Sequence, residues 1–178
     1  MLTKLIVITL ITLLHAQTCI GQSGAPVEWW VALKVPPKIG KSGFGYYDST
    51  MKSGRFVYHD VKIDLGTTAL TRTIEHLNGQ TLEQVAWNDE KPTGETSSSS
   101  AHAKGFMAFS TASSKGVFLS HSIPKYPAYV SSKINHTIGA SQNIYGQSLL
   151  CMSLTLRELD YIASHLLITW PFVYEGSV

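Results

Sequence analysis

Short strand-like segments interleaved with two helix-like ones predict an α/β fold, a mixed β-sheet sandwiched by helices. Segments such as VEWWVALKV, VFLSHS and YGQSLLCMSL are rich in β-branched and aromatic residues and are bounded by Pro, Gly and Ser clusters. Two other segments carry apolar residues at helical spacing. The length of 178 residues allows one domain with a real core and is short for two.

The chain opens on MLTKLIVITLITLLHAQTC, with a lysine near the start, an apolar run from Leu5 to Leu14 and small residues around Ala16. That pattern fits a secretory signal over residues 1–18 better than a membrane anchor. Residues 19–178 then form the domain. VEWWVALKV stops at Pro36-Pro37 and reads as a buried strand, with Trp29 and Trp30 as core on its two faces. GRFVYHDVKI reads as a second strand. In TTALTRTIEHLNG, residues Leu70, Ile74 and Leu77 share one helical face, and Asn78-Gly79 stops the helix. TLEQVAW is a further strand, leading into NDEKPTGETSSSSA, whose four serines indicate a loop without fixed conformation. A strand with AHAKGFMAF and the strand VFLSHS, joined by TASSKG, form a hairpin. IPKYPAYVSS is a loop, and Asn135-His136-Thr137 beyond it is a glycosylation sequon. YGQSLLCMSL is a strand, and TLRELDYIASHLL is a helix whose capping box is Thr155 with Glu158. Its apolar stripe is Leu156, Leu159, Ala163 and Leu166, and TWPFVY closes the chain.

A net charge of +2 leaves no broad basic face for non-specific binding to duplex nucleic acid, so any polyanion contact is local. No segment after the leader is apolar for long enough to span a bilayer, because SHLLITWPF follows Arg157, Glu158 and Asp160 and contains His165. Cys19 and Cys151 are the two cysteines, and in an oxidising secretory route they are expected to pair.

The stretch SSSSAHAKGFMAF places His102 and Lys104 two residues apart where a polar run meets an apolar one. On a strand they share a face with Phe106 and Ala108, whereas on a helix they point to opposite sides. An ammonium and an imidazole leaving water need an anionic partner, and a phosphate would serve. In the plainer alternative Lys104 reaches solvent and His102 bonds a backbone carbonyl.

PVEWWVALKVP, WNDEKP, HAKG, LSHSIPKYP, YGQSLLCMS and WPFVY, in this order and spacing, resemble the deoxyribonuclease II family over nearly the whole mature chain. The resemblance implies a fold like one half of a phospholipase D-like pseudo-dimer, in which two H-x-K strands face each other across one site. This chain carries one H-x-K and matches the family's first half. Ala103 and Ser110 stand where the family often has threonine and aspartate.

The resemblance implies a metal-independent acid endonuclease of DNA, secreted or lysosomal, with no cofactor. His102 is the candidate nucleophile, forming a phosphohistidine from its neutral state, and Lys104 is the candidate cation for the charge on phosphorus. A second, protonated histidine would act as general acid, from a homodimer partner or a separate second half. His121, near the end of the hairpin, and Asn88, at the entry to the site loop, are candidate substrate contacts. Asp60, Asp64, Glu75, Glu83, Asp89 and Glu90 lack a recognised metal-ligand spacing, so no metal site is expected. The rival class is a catalytically inactive secreted half-domain that binds DNA or a protein partner through surface left by a missing half.

Overall fold

The computed structural model describes residues 17–37 and 42–177, so nearly all of the expected signal segment lies outside the described residues. Twelve strands are described: β1 (Cys19–Ile20), β2 (Pro26–Val27), β3 (Trp29–Val35), β4 (Gly43–Asp48), β5 (Val57–His59), β6 (Glu83–Asn88), β7 (Lys104–Ser110), β8 (Lys115–His121), β9 (Ala128–Val130), β10 (Lys133–Asn135), β11 (Gln147–Thr155) and β12 (Val173–Ser177). Two α-helices join them, α1 (Ala69–Asn78) and α2 (Leu156–Thr169). Eight strands form one sheet in the order β12-β6-β7-β8-β11-β3-β4-β5.

The α/β expectation holds, and the sheet itself is antiparallel at every pairing rather than mixed. Parallel neighbours need a crossover between adjacent strands. Here α1 links β5 to β6 and α2 links β11 to β12, strands that lie far apart in the sheet, so neither helix builds such a unit.

Side-chain alternation along β7 separates the two faces. Phe106 and Ala108 join Trp30 and Leu119 in the main core, closed by Leu70, Ile74 and Leu77 of α1. Met107 faces the other way, with Trp87 and Leu159 of α2. The helices therefore cover opposite faces. Both begin at threonine caps: Thr68 accepts from the N–H of Thr71, and Thr155 accepts from that of Glu158 in the expected capping box. Trp30 is fully buried and Trp29 half-buried against Tyr47, so only one of the paired tryptophans is a full core residue. Cys19 and Cys151 are joined, with Cα atoms 6.1 Å apart, tying the described N-terminus to the central strand β11.

Three local readings change. GRFVYHDVKI contributes only the three-residue edge strand β5, while GFGYYD, unassigned from sequence, is the six-residue β4. Residues 128–135, read as loop and sequon, hold the small β9–β10 hairpin, turned by Ser131 and Ser132 at positive φ. The serine-rich loop is ordered by backbone bonds, Lys91 N–H to Glu95 O at 2.8 Å and Ser97 N–H to Asp89 O at 2.9 Å, with Ser97 and Ser100 hydroxyls 2.7 Å apart.

Candidate active site

The end of β6 and the start of β7 lie side by side, with Asn88 opposite Lys104. The close pairing behind them needs Gly105, because a Cβ there would stand 2.7 Å from both the Leu119 carbonyl and the Trp87 ring. Asp89, the first residue past β6, turns its carboxylate into this corner. Its Oδ1 accepts from Lys104 Nζ, and its Oδ2 meets His102 Nδ1. One carboxylate thus bridges the two residues that the H-x-K spacing singled out.

His102 and Lys104 converge, but not by sharing a strand. β7 begins at Lys104, and His102 sits at a bend because Ala101 is tied elsewhere: its N–H donates to Trp170 O at 3.1 Å, and it bridges Pro171. The His102 side chain is 86% exposed and that of Lys104 only 5%, so the imidazole meets solvent while the ammonium forms the floor. The plainer alternative, with Lys104 in solvent, does not hold.

Burial by itself pushes Asp89 upward, but the hydrogen bond and charge of Lys104, reinforced by His102, hold its carboxyl below the usual carboxylate range. It is an anion throughout the mildly acid and neutral range. With Nδ1 donating to this anion, a neutral His102 keeps its lone pair on Nε2, the nitrogen left to meet an incoming group. From the sequence, Asp89 is weighed among the carboxylates as a metal ligand and stands inside WNDEKP, directly after a strand; the pairing of that strand with β7, which brings it to His102 and Lys104, has no local trace in the chain.

Asn88 is fully buried, and its side chain is fully engaged. Its amide donates to Ile123 O at 3.0 Å and Tyr126 O at 2.8 Å, and its Oδ1 accepts from Glu90 N–H at 2.9 Å. It therefore anchors the 123–126 loop and the Asp89 turn instead of presenting polar atoms to a ligand, which corrects the expected substrate contact. His121, at the end of β8, is 7% exposed and lines a cavity of about 330 Å³ together with His102, Lys104, Trp87 and Leu166. Asn135 ends β10, its Oδ1 accepting from Thr137 N–H at 2.9 Å within the sequon. Among the described residues, no three His, Cys, Asp or Glu side chains form a group that could hold a metal ion.

The family model for deoxyribonuclease II matches residues 18–178. Deoxyribonuclease-2-alpha of Bos taurus is 32% identical over 174 residues, covering 89% of this chain and 46% of that protein. Its counterpart in Rattus norvegicus is 29% identical over 175 residues, covering 92% and 49%. Plancitoxin-1 of Acanthaster planci is 30% identical over 179 residues, covering 92% and 48%. The chain spans about half the length of the curated relatives it matches. With the match running from the first described strand through the site corner to the final edge strand, this chain belongs to the deoxyribonuclease II family.

Proposed function

We propose that this chain is a metal-independent acid endonuclease that hydrolyses DNA phosphodiester bonds through His102, completed by a second histidine–lysine pair from another copy or a separate second half. The observation that carries this reading is the convergence of His102 and Lys104 on Asp89, with the imidazole open to solvent, in a chain of this family. Asp89 holds the Nδ1 proton of His102, leaving Nε2 to attack phosphorus and displace the leaving oxygen, which takes a proton from the second histidine. Water, giving its proton to the second histidine that the first step left neutral, then attacks the phosphohistidine and displaces Nε2, releasing the phosphate ester and restoring both rings. Lys104 stabilises charge building on the non-bridging oxygens.

Residues 1–18 are assigned as a signal peptide and 19–178 as one domain, in a secreted or lysosomal protein. The Cys19–Cys151 bond supports an oxidising route, and among the described residues no helix is long and apolar enough to cross a membrane. Incubation with plasmid DNA from pH 4 to 8, with and without EDTA, tests the activity. Acid cleavage that survives chelator and disappears in His102→Ala is expected; activity lost to EDTA and restored by Mg²⁺ overturns the histidine mechanism.

A second reading has its own support. Leu167, Ile168 and Trp170 at the end of α2 are 73–80% exposed, and Trp170 is tied by its backbone to the residue before His102. An inactive half-domain that docks on a protein partner through this surface predicts that His102→Ala leaves partner binding unchanged and that the wild-type protein cleaves no DNA at any pH tested.

A further inference from the structure

Helix α2 ends on Trp170, whose N–H donates to Leu166 O at 2.9 Å and whose backbone is left-handed, at φ 56° and ψ 58°. Glycine usually takes this place after a helix because a Cβ is disfavoured there, and a bulky residue is a true outlier. Pro171 adds to the strain, since a proline pushes its predecessor toward extended backbone. The turn sends the chain back along the site corner. Trp170 O accepts from the N–H of Ala101, the neighbour of His102, at 3.1 Å, and Phe172 O accepts from the N–H of Asn88, the neighbour of Asp89, at 3.0 Å. Lys91 Nζ lies 3.9 Å from the centre of the Phe172 ring. Glycine would make the same turn, so these bonds account for the backbone and not for the indole.

Packing does not account for the indole either. Trp30 and Trp87 are buried, whereas Trp170 is 73% exposed and its side chain makes no hydrogen bond or ring contact among the described residues. Strain at a residue whose surroundings over-determine its backbone is a mark of functional positions. Beside this ring stand His102 and Lys104, whose charge and bonding suit a phosphate. A phosphate site next to an open aromatic face matches the two parts of a nucleotide, its anionic backbone and its flat base. Leu167 and Ile168 share the exposure but have no π face.

Resting on the reading of DNA as the substrate, we infer that the Trp170 indole is a stacking platform for an unstacked base next to the phosphate held at His102 and Lys104. Every base has a π face, so the platform takes any of the four. Because the bonds through Ala101 and Asn88 tie the segment carrying the ring to the corner, a base stacked there fixes the register of the strand against His102.

Binding of a labelled single-stranded oligothymidylate, and of the same strand with every base removed, tests this at one fixed salt concentration. His102→Ala serves as the background, so that no strand is cut. Trp170→Leu keeps an apolar side chain without a ring, Trp170→Gly relieves the backbone, and Trp170→Phe keeps a π face. The base-bearing strand should bind about 5- to 150-fold more weakly to the Leu and Gly variants, as for loss of one base–aromatic stack, and within about fivefold of the background protein to the Phe variant. The abasic strand should bind all four proteins alike. Since the ring lies mostly in solvent, Trp170→Gly should melt within about 4 °C of the background protein. Unchanged binding in the Leu and Gly variants, a Phe variant as weak as the Gly variant, or a larger fall in melting temperature for Trp170→Gly each overturns the inference. Equal losses on both strands, together with weaker self-association by light scattering, overturn it in favour of a protein contact at this ring. The series needs no turnover, so a wild-type protein that shows the same preference for base-bearing strands but cleaves no DNA refutes the nuclease reading alone.

Discussion

Asp89→Asn keeps the shape of the side chain and removes the one charge that both His102 and Lys104 share. Lys104 is 5% exposed, so the variant leaves a buried ammonium without its counterion. Breaking a buried pair from one side costs about 3–5 kcal/mol. The amide oxygen can still accept from Nζ, and Asp89 lies at the end of a strand with its side chain 10% exposed, which places the loss near 3 kcal/mol, at the low end. The open His102–Asp89 contact adds less than about 1 kcal/mol, as for exposed pairs. For a chain of this size, 3 kcal/mol lowers the melting temperature by about 6–12 °C. Thermal unfolding at pH 6 reads this directly, and Asp89→Asn/Lys104→Met supplies the control: removing the stranded ammonium as well should recover part of the loss. Because the Asp89 carboxyl is held below its unfolded value, its contribution is fully present above about pH 4 and disappears only as the pH falls through the folded value. The gap between wild type and Asp89→Asn should therefore be flat from pH 5 to 7. DNA turnover should fall about 10²- to 10⁴-fold, since nothing then fixes the His102 tautomer. A loss under 1 kcal/mol, or a double variant no more stable than Asp89→Asn, would refute the claim that Asp89 neutralises a buried Lys104.

Replacing Cys19 and Cys151 with alanine opens a loop with a sequence separation of 132 and should cost about 5 kcal/mol in the chain-entropy account, read as a lowered denaturant midpoint. Free-thiol titration of the denatured, unreduced wild-type protein should find none. Asn88→Ala removes two buried hydrogen bonds and one part-buried one and should cost about 2–4 kcal/mol, with protease sensitivity appearing at 122–127. Asn135→Gln and Thr137→Ala should each remove the same glycan mass from protein secreted by eukaryotic cells without changing DNA turnover.

The helices, β3 and the β7–β8 hairpin were legible because each carries its own periodicity and stop signals in the chain. β4 was not. Its core residues, Phe44 and Tyr46, alternate with Gly43 and Gly45, and glycine weakens the strand signal that alternation would otherwise give. Yet a Cβ at Gly43 would stand 2.2 Å from the His59 carbonyl, so what obscures the strand locally is required by its neighbour β5. The sheet order was equally hidden, since connections that span the whole sheet leave no local trace. At the site, His102 and Lys104 could be found from spacing and polarity, although the strand geometry proposed for them was wrong at His102. Asp89 and the bonding of Asn88 could not be found that way, because apart from Glu90 their partners lie 13 to 38 residues distant along the chain.

Charge balance at the corner bears on whether one copy can act alone. Asp89 contributes one negative charge and Lys104 one positive charge, so the net charge there is set by the His102 ring. A neutral ring gives a nucleophile at zero net charge; a protonated ring gives an acid with net +1 but no lone pair for attack. One imidazole cannot hold both states at once, whereas two facing copies can hold one of each and would then meet a singly charged phosphodiester with a net +1. A two-fold contact through the exposed end of α2, next to His102, would bring such a pair together. Specific activity on DNA should then fall on dilution, with its midpoint at the dimer dissociation constant measured by light scattering. Mixing His102→Ala in excess with wild type should quench activity by capturing active chains in half-complete sites. A strict monomer, fully active and unaffected by dilution or by the mutant chain, would show that one imidazole suffices and end the two-copy account.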